Sequence, residues 1–352
     1  MNGLPDWARA WGGVLGSARV AARCEDFRVD EVAGFAASGE GAHLLVRIEK
    51  AGLSTSQAID ALARYWQVER RAMGYAGRKD RAALARQWLS VPWPPTAGLP
   101  APGAVPLARE GPARLRVIDI ERHRRKLPVG ALAGNDFQLT LRDVDVAPAA
   151  MQARLVTIAR HGVPNYFGGQ RFGRDAANLE RVHGWFAGGS RPRSRNDRSM
   201  LLSAARAAVF NTLLDARVRD GDWNRVGPGE LLVLDGRGSL FAAQADDAAF
   251  DQRRGAALRV HPTGPLVGRP RRGLVLPAAL AEREAQCLAS CRDLIDGLSG
   301  AGVEAARRPL RLGVQRLGGW QMADGNWRLT FRLMRGGFAT AVLREIVAWP
   351  AP

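Results

Sequence analysis

Alternation with a period of two appears near both ends of this chain, and it constrains the fold more than any other feature. Leu44, Val46 and Ile48 alternate with Leu45, Arg47 and Glu49, while Trp327, Leu329, Phe331 and Leu333 alternate with Arg328, Thr330, Arg332 and Met334. A period of two sends successive side chains to opposite faces, as in a β-strand. Phe137, Leu139 and Leu141 against Gln138, Thr140 and Arg142 make a third run. Between these regions the period lengthens. Residues 149–160 and 198–218 read as helices, the latter with Leu201, Ala205, Ala208 or Val209, and Leu213 on one face. Residues 224–275 are Gly-rich with short alternating segments, and 277–298 read as helix again. Strands, then a helical block, then strands predict an α+β protein whose sheet domain is interrupted by an inserted α+β domain. The expected boundaries are 1–154 and 304–352 for the sheet domain and 155–303 for the insertion.

Within the first part, Phe27, Val29 and Glu31 share one face of an extended segment. Ser54-Thr55-Ser56-Gln57 has the form of a capping box, followed by Ile59, Leu62, Ala63 and Trp66 at helical spacing. A strand is expected over 87–91, then a Pro-, Ala- and Gly-rich connection over 92–112. Before that strand comes Gly74-Tyr75-Ala76-Gly77-Arg78-Lys79-Asp80-Arg81, with two glycines, three cations and one carboxylate. Glycine at such a join allows positive φ or close approach of another group. Asp80 stands where a short helix is expected to begin. It reads as a helix N-cap, because its oxygen accepts an orphan N–H. It also reads as a nucleophile or base whose ionised form the flanking cations favour. A capping oxygen can face a cleft, so the two readings coexist.

Charge narrows the class of partner. Lys and Arg number 51 against 34 Asp and Glu, a surplus of +17. Neutralising phosphates releases condensed counterions, so such a surplus favours a polyanion. A coding bias towards Arg and Ala explains exchange of Lys for Arg, but not the surplus. No long apolar run and no lone basic amphipathic helix points to a membrane. The three cysteines, Cys24, Cys287 and Cys291, lack metal-ligand spacing and fit a reducing cytoplasm. The histidines at 43, 123, 161, 183 and 261 are scattered, so no metal site is expected. There is no Gly-x-x-x-x-Gly-Lys-Ser/Thr loop and no Gly-x-Ser-x-Gly elbow. Met1 to Trp7 lack the basic start and apolar core of an export signal. The basic run 122–126 reads as a solvated face or a phosphate contact, and residues 188–198, with the basic run 191–198, read as a polar, basic connector. Pro164–Gly173 holds three aromatics and three glycines; these either stack on unpaired bases or anchor a loop under the core. Gly134-Asn135-Asp136 reads as a turn, with Asn135 tolerating left-handed geometry or binding a base edge.

Gly77-Arg78-Lys79-Asp80 with Ala85-Arg86-Gln87-Trp88 resembles the catalytic segment of the tRNA pseudouridine synthase D family. Pro164-Asn165-Tyr166-Phe167-Gly168-Gly169-Gln170-Arg171-Phe172-Gly173 is similar to that family's most recognisable run. Phe27–Glu31, Gly134–Phe137, Leu201–Arg206 and Gly337–Thr340 match in order, over about 17 to 347. Arg78 departs from the pattern, at a position usually less basic. The resemblance implies a pseudouridine-synthase-like, mixed or antiparallel sheet as catalytic domain. It implies isomerisation of uridine 13 in the tRNA D-arm, after the base is flipped from its stack. Asp80 takes the catalytic role, as a nucleophile at C1′ or as a base through a glycal. Phe27, Asn135 and Phe338 match positions that contact the target nucleotide, and Lys79 is expected to keep Asp80 charged or to bind a phosphate. No cofactor or metal is implied; tRNA is the partner, and a cytoplasmic monomer is expected. Two rivals remain: a basic RNA-binding or RNA-chaperone protein without catalysis, and an Asp-dependent nucleic-acid hydrolase. Ordinary core packing for Phe27 and Phe338, and a turn role for Asn135, are the alternatives to substrate contact.

Overall fold

The computed structural model describes residues 5–108 and 111–349. Met1 to Leu4 of the stretch read for an export signal, residues 109–110 of the expected connection, and 350–352 lie outside the described residues. The chain divides into two compact units. One comprises Leu15–Leu155, Gln315–Gly336 and the residues from Val347. The other comprises Val156–Val314, Gly337–Ile346 and the N-terminal residues as far as Val14.

The first unit begins with β1 (Arg19–Val20), β2 (Phe27–Ala33) and β3 (His43–Ala51). Helix α1 (Thr55–Tyr65) starts at the capping box expected from sequence: the Ser54 hydroxyl accepts from Gln57 N–H, and the Gln57 side chain accepts from Ser54 N–H. Next come β4 (Gly74–Tyr75), β5 (Leu84–Pro92), β6 (Gly103–Ala104), β7 (Arg114–His123) and β8 (Leu132–Arg142). Helix α2 (Pro148–His161) then leads into the second unit.

The second unit follows with β9 (Val163–Pro164), α3 (Ala177–Phe186), α4 (Arg195–Arg219), β10 (Leu231–Leu234), β11 (Leu240–Ala242), α5 (Ala248–Ala256) and β12 (Val260–Leu266). After it come α6 (Ala278–Cys287), α7 (Arg292–Gly300), β13 (Ala306–Pro309) and β14 (Arg311–Leu312). Its core gathers on α4, where Leu201, Ala205, Val209, Phe210 and Leu213 pack with Tyr166, Val182 and Leu298. A four-stranded sheet in the order β11-β10-β12-β13 lies in the same unit. Segments from near both ends of the chain, 5–14 and 337–346, join this unit. Trp7 stacks on Tyr166 at 5.9 Å, the Trp11 indole N–H donates to Gly162 C=O, and Ala10 N–H donates to the Glu345 carboxylate.

The chain closes the first unit with a hairpin, β15 (Gln315–Gln321) and β16 (Trp327–Met334), turned at Gly325 with φ +81°. The short helix α8 (Ala339–Leu343) follows in the second unit. The first unit's sheet has ten strands in the order β15-β16-β8-β2-β5-β3-β7-β6, with β1 beside β8 and β4 beside β5. β2 and β5 run parallel, and the other pairs are antiparallel. The mixed α+β architecture thus agrees with the sequence reading.

Several local expectations are corrected. β5 begins at Leu84, because its first residues pair with Arg28, Val29 and Asp30 of β2. No helix follows Asp80; a turn with Ala83 N–H donating to Asp80 C=O at 3.4 Å takes its place, so Asp80 caps nothing. Asn135 is no turn residue but lies inside β8, opposite Glu31 of β2 and Leu333 of β16. Gly134 explains this, since a Cβ there would come within 2.4 Å of Leu333 C=O. Glycine permits strand approach rather than a reversal. Helix α4 begins at Arg195, capped by Ser194, so part of the basic connector is helical.

Gly134→Ala is therefore expected to strain a central strand pair and to destabilise the protein by about 1–3 kcal/mol. Urea denaturation checks this: an unchanged midpoint would show that the β8–β16 spacing yields without cost.

Candidate active site

The Asp80 loop is held by its backbone from three directions. Lys79 N–H donates to the Thr55 hydroxyl at 2.9 Å, Lys50 Nζ donates to Asp80 C=O at 2.5 Å, and Arg81 Nε donates to Gly52 C=O at 3.0 Å. All three anchors belong to the end of β3 and the start of α1. The Thr55 hydroxyl in turn donates to Gln87 Oε1 of β5. Lys79 turns inward: its side chain is 5 % exposed and pairs with the fully buried carboxylate of Glu31. The Glu31 carboxylate also accepts Trp88 N–H at 3.2 Å. Asp80 itself is exposed, so the loop presents that carboxylate to solvent. Neither glycine has positive φ. Gly77 leaves room for the ion pair, since a Cβ would lie 3.2 Å from Lys79 Nζ and 3.4 Å from Glu31 Oε2. Gly74 lets Leu127 C=O approach, at 2.6 Å from where its Cβ would stand.

Alternation along the paired strands puts Phe27, Glu31, Asn135, Phe137, Phe331, Lys50 and Gln87 on one face of the sheet. Phe27 meets Phe137 edge-on at 6.1 Å, and Phe137 stacks on Phe331 at 5.2 Å. Asn135 Oδ1 is buried and accepts no hydrogen bond among the described residues. Burial raises the Glu31 carboxyl above its usual range against the opposing pull of Lys79. Burial also lowers Lys50 from 10.5 to about 8, although Asp80 favours its charged form. The opposite face carries a cavity of about 410 Å³ lined by Arg28, Asp30, Glu49, Arg86, Asp136 and Arg316. Asp30–Arg47 and Asp136–Arg332 ion pairs populate that face, which holds none of the candidate residues.

The sequence candidates thus fall in two places. Phe27, Lys79, Asp80 and Asn135 belong to the first unit, and Phe338 to the second. There Phe338 packs against Phe167 at 6.0 Å, with the Arg171 and Arg308 guanidinium groups over both rings. Gly168 allows Thr340 to close in, its hydroxyl 2.8 Å from the missing Cβ. Of the aromatics in Pro164–Gly173, Tyr166 and Phe172 are core, and only Phe167 is half-exposed. Lys50, Thr55 and Gln87 were not singled out from sequence. The signal was there for Lys50, a charge at the inward position after Leu44, Val46 and Ile48. The run 122–126 is tied partly into structure, by Arg124 to Glu40 and by Lys126 to Arg71 C=O. Among the described residues, no cluster of three or more His, Cys, Asp or Glu could hold a metal ion, and no helix is long and apolar enough to cross a membrane.

The family model of tRNA pseudouridine synthase D (TruD) matches residues 12–190 and 178–346. The chain belongs to the tRNA pseudouridine synthase D family. Curated relatives of that name include one from Methylococcus capsulatus, 41 % identical over 99 % of this chain and 97 % of its own. Another, from Azotobacter vinelandii, is 43 % identical over 97 % and 95 %. A solved structure titled as the putative tRNA pseudouridine synthase D of Methanosarcina mazei shares the fold. Its TM-score is 0.66 at 19 % identity, over 98 % of this chain and 96 % of that one.

In this family member, Lys50 gives a pH-dependent signature. Its charged form is penalised in the folded state, so the unfolded chain binds more protons between about pH 8 and 10.5. Stability contributed by this residue therefore rises across that window. Lys50→Met is expected to lose this rise, to be no less stable at pH 7, and to lower kcat roughly 10- to 100-fold by freeing the Asp80 carbonyl. Urea denaturation at pH 7.5 and 9.5 beside single-turnover rates measures both; wild-type rates in the variant would remove Lys50 from the loop's support.

Proposed function

We propose that this tRNA pseudouridine synthase isomerises uridine 13 in the D-arm, with Asp80 acting on the ribose of the flipped-out nucleotide. One observation carries the assignment of Asp80: the loop fixes its backbone through three anchors while leaving the carboxylate open to solvent. A carboxylate held in place without its own oxygens being occupied suits attack on C1′, or removal of the C2′ proton to give a glycal. Either route breaks the C1′–N1 bond. The freed uracil turns and C5 bonds to C1′, which releases the Asp80 carboxylate from C1′ in the first route and comes with return of the proton to C2′ in the second; the C5 proton then leaves and N1 takes one up. The sum is an isomerisation in which nothing is oxidised or reduced.

The other roles follow from position. Phe27 stands beside Phe137 as a ring against which a base can lie. The open acceptor on Asn135 suits the N3–H of uracil. Phe338 is proposed as a nucleotide contact on the strength of its family motif. Lys79 is a positioning residue, because its ammonium faces Glu31 and sets the loop. We extend the reading to a cytoplasmic monomer with tRNA as partner, and we keep 155–303 as the proposed inserted segment between 1–154 and 304–352.

Unmodified tRNA transcripts tritiated at uridine C5, with EDTA present, test the reading. C5 loses its hydrogen only on becoming the glycosidic carbon. Wild type is expected to release tritium; Asp80→Asn is expected to bind tRNA normally and release at least about 10³-fold more slowly. Equal release by the variant would remove Asp80 from the chemistry. Binding without release by wild type would leave an RNA-binding protein, and shortened RNA would mark a hydrolase.

A further inference from the structure

The N-terminal half of α4 builds a cleft that the reaction does not account for. Arg195, Arg198, Ser199, Ser203 and Arg206 fall at helical spacing along one face of the helix. With Phe167, Leu202, Leu266 and Val303 they line a cavity of about 690 Å³ within the second unit. No carboxylate lines it. The nearest acidic side chain on the helix, Asp197, accepts two hydrogen bonds of 2.7 Å from Arg181 and so neutralises that residue rather than the cleft. Arg198 and Arg206 are held in place by backbone carbonyls rather than by carboxylates among the described residues. Arg206 donates to the carbonyls of Leu266 and Glu304, while its Nε is buried and has no acceptor among the described residues. Arg198 donates to Ala301 C=O and lies 5.9 Å over the Trp185 ring. Arg171 donates to the Ser203 hydroxyl at 3.2 Å, adding a further cation beside it. Arg195 is exposed at the entrance.

Guanidinium groups steered by neutral carbonyls keep their full charge and their outward N–H groups, which is the arrangement that receives phosphate oxygens. Two serine hydroxyls between the arginines add uncharged donors of the kind that hold a nucleic-acid backbone in register. Half-exposed Phe167 offers a ring at the edge of the same cleft. We propose that this α4 cleft binds phosphodiesters of the RNA substrate, giving the second unit its own hold on the polynucleotide. The proposal rests on the tRNA reading above and adds to it a contact that no base sequence specifies.

The test uses the full chain with an unmodified tRNA transcript and measures Kd from 50 to 300 mM KCl. Arg195→Glu and Ser199→Glu change exposed positions and put negative charge where a phosphate would sit. Each is expected to raise Kd at least 10-fold, to lessen the slope of log K against log salt by about 1, and to raise KM more than it lowers kcat. Arg195→Lys is expected to restore most of the binding. Equal Kd and equal slope in the Glu variants would overturn the cleft. If one variant fails to fold by thermal melting, Arg195→Gln, with a smaller expected loss in the same direction, decides. A wild type that binds but releases no tritium would instead overturn the proposed reaction, and the Kd series would still judge the cleft.

Discussion

The ion pair between Lys79 and Glu31 is the interaction from which the rest of the first unit follows. Both side chains are out of water, so removing one partner would strand a buried charge at a cost of about 3–5 kcal/mol. The same carboxylate accepts the Trp88 amide of β5, so it binds loop and strand together. This arrangement requires β2 beside β5, the one parallel pairing of named strands in the sheet among the described residues. It also requires a glycine at 77, where any larger residue would press on the pair. Charge satisfaction, strand order and loop composition are here one constraint expressed three ways.

The second unit solves a different problem. Beside arginines paired with carboxylates, such as Arg217 with Glu230 and Arg307 with Glu284, it sets other guanidinium groups against aromatic rings. Arg308 lies 4.1 Å over Phe167, and burial pulls it down to about 9, with the Arg171 charge acting in the same direction. Ring faces and carbonyls orient such groups without cancelling their charge. That a solved structure with 19 % identity keeps the fold over nearly the whole chain fits this division: packing pattern sets the architecture, and a short set of residues sets the chemistry.

Much of this was legible in the sequence, for reasons that can be named. Alternation at 44–49, 137–142 and 327–334 reported strands because one face of each is buried. The capping box at Ser54 reported a helix start through purely local hydrogen bonds. The failures were long-range. Leu84 to Arg86 become strand because β2 lies alongside, with β3 pairing Ala85 and Arg86 on the other edge, and Asn135 is strand because β2 and β16 flank it, β16 coming close at Gly134. Asp80 stands out as a candidate from its charged surroundings, yet the expected helix after it does not form. Lys50, the residue that holds its carbonyl, lies one position beyond the alternation read at 44–49. A sequence shows that a charge is misplaced for its face; it does not show which distant carbonyl explains it.

Arg9 donates to the carbonyl of Arg344, and Ala10 to the carboxylate of Glu345, contacts separated by 335 positions. A nascent chain emerging from the ribosome therefore cannot complete this unit while it grows. At roughly 5–20 residues per second, Arg9 and Ala10 wait on the order of 20–70 s for Arg344 and Glu345. Trp7 and Trp11 can meet Tyr166, Phe172 and Trp223 well before that, but Arg9 and Ala10 between them are tied down by the last stretch translated. The order of synthesis thus makes the N-terminal segment the last part of this unit to be fixed.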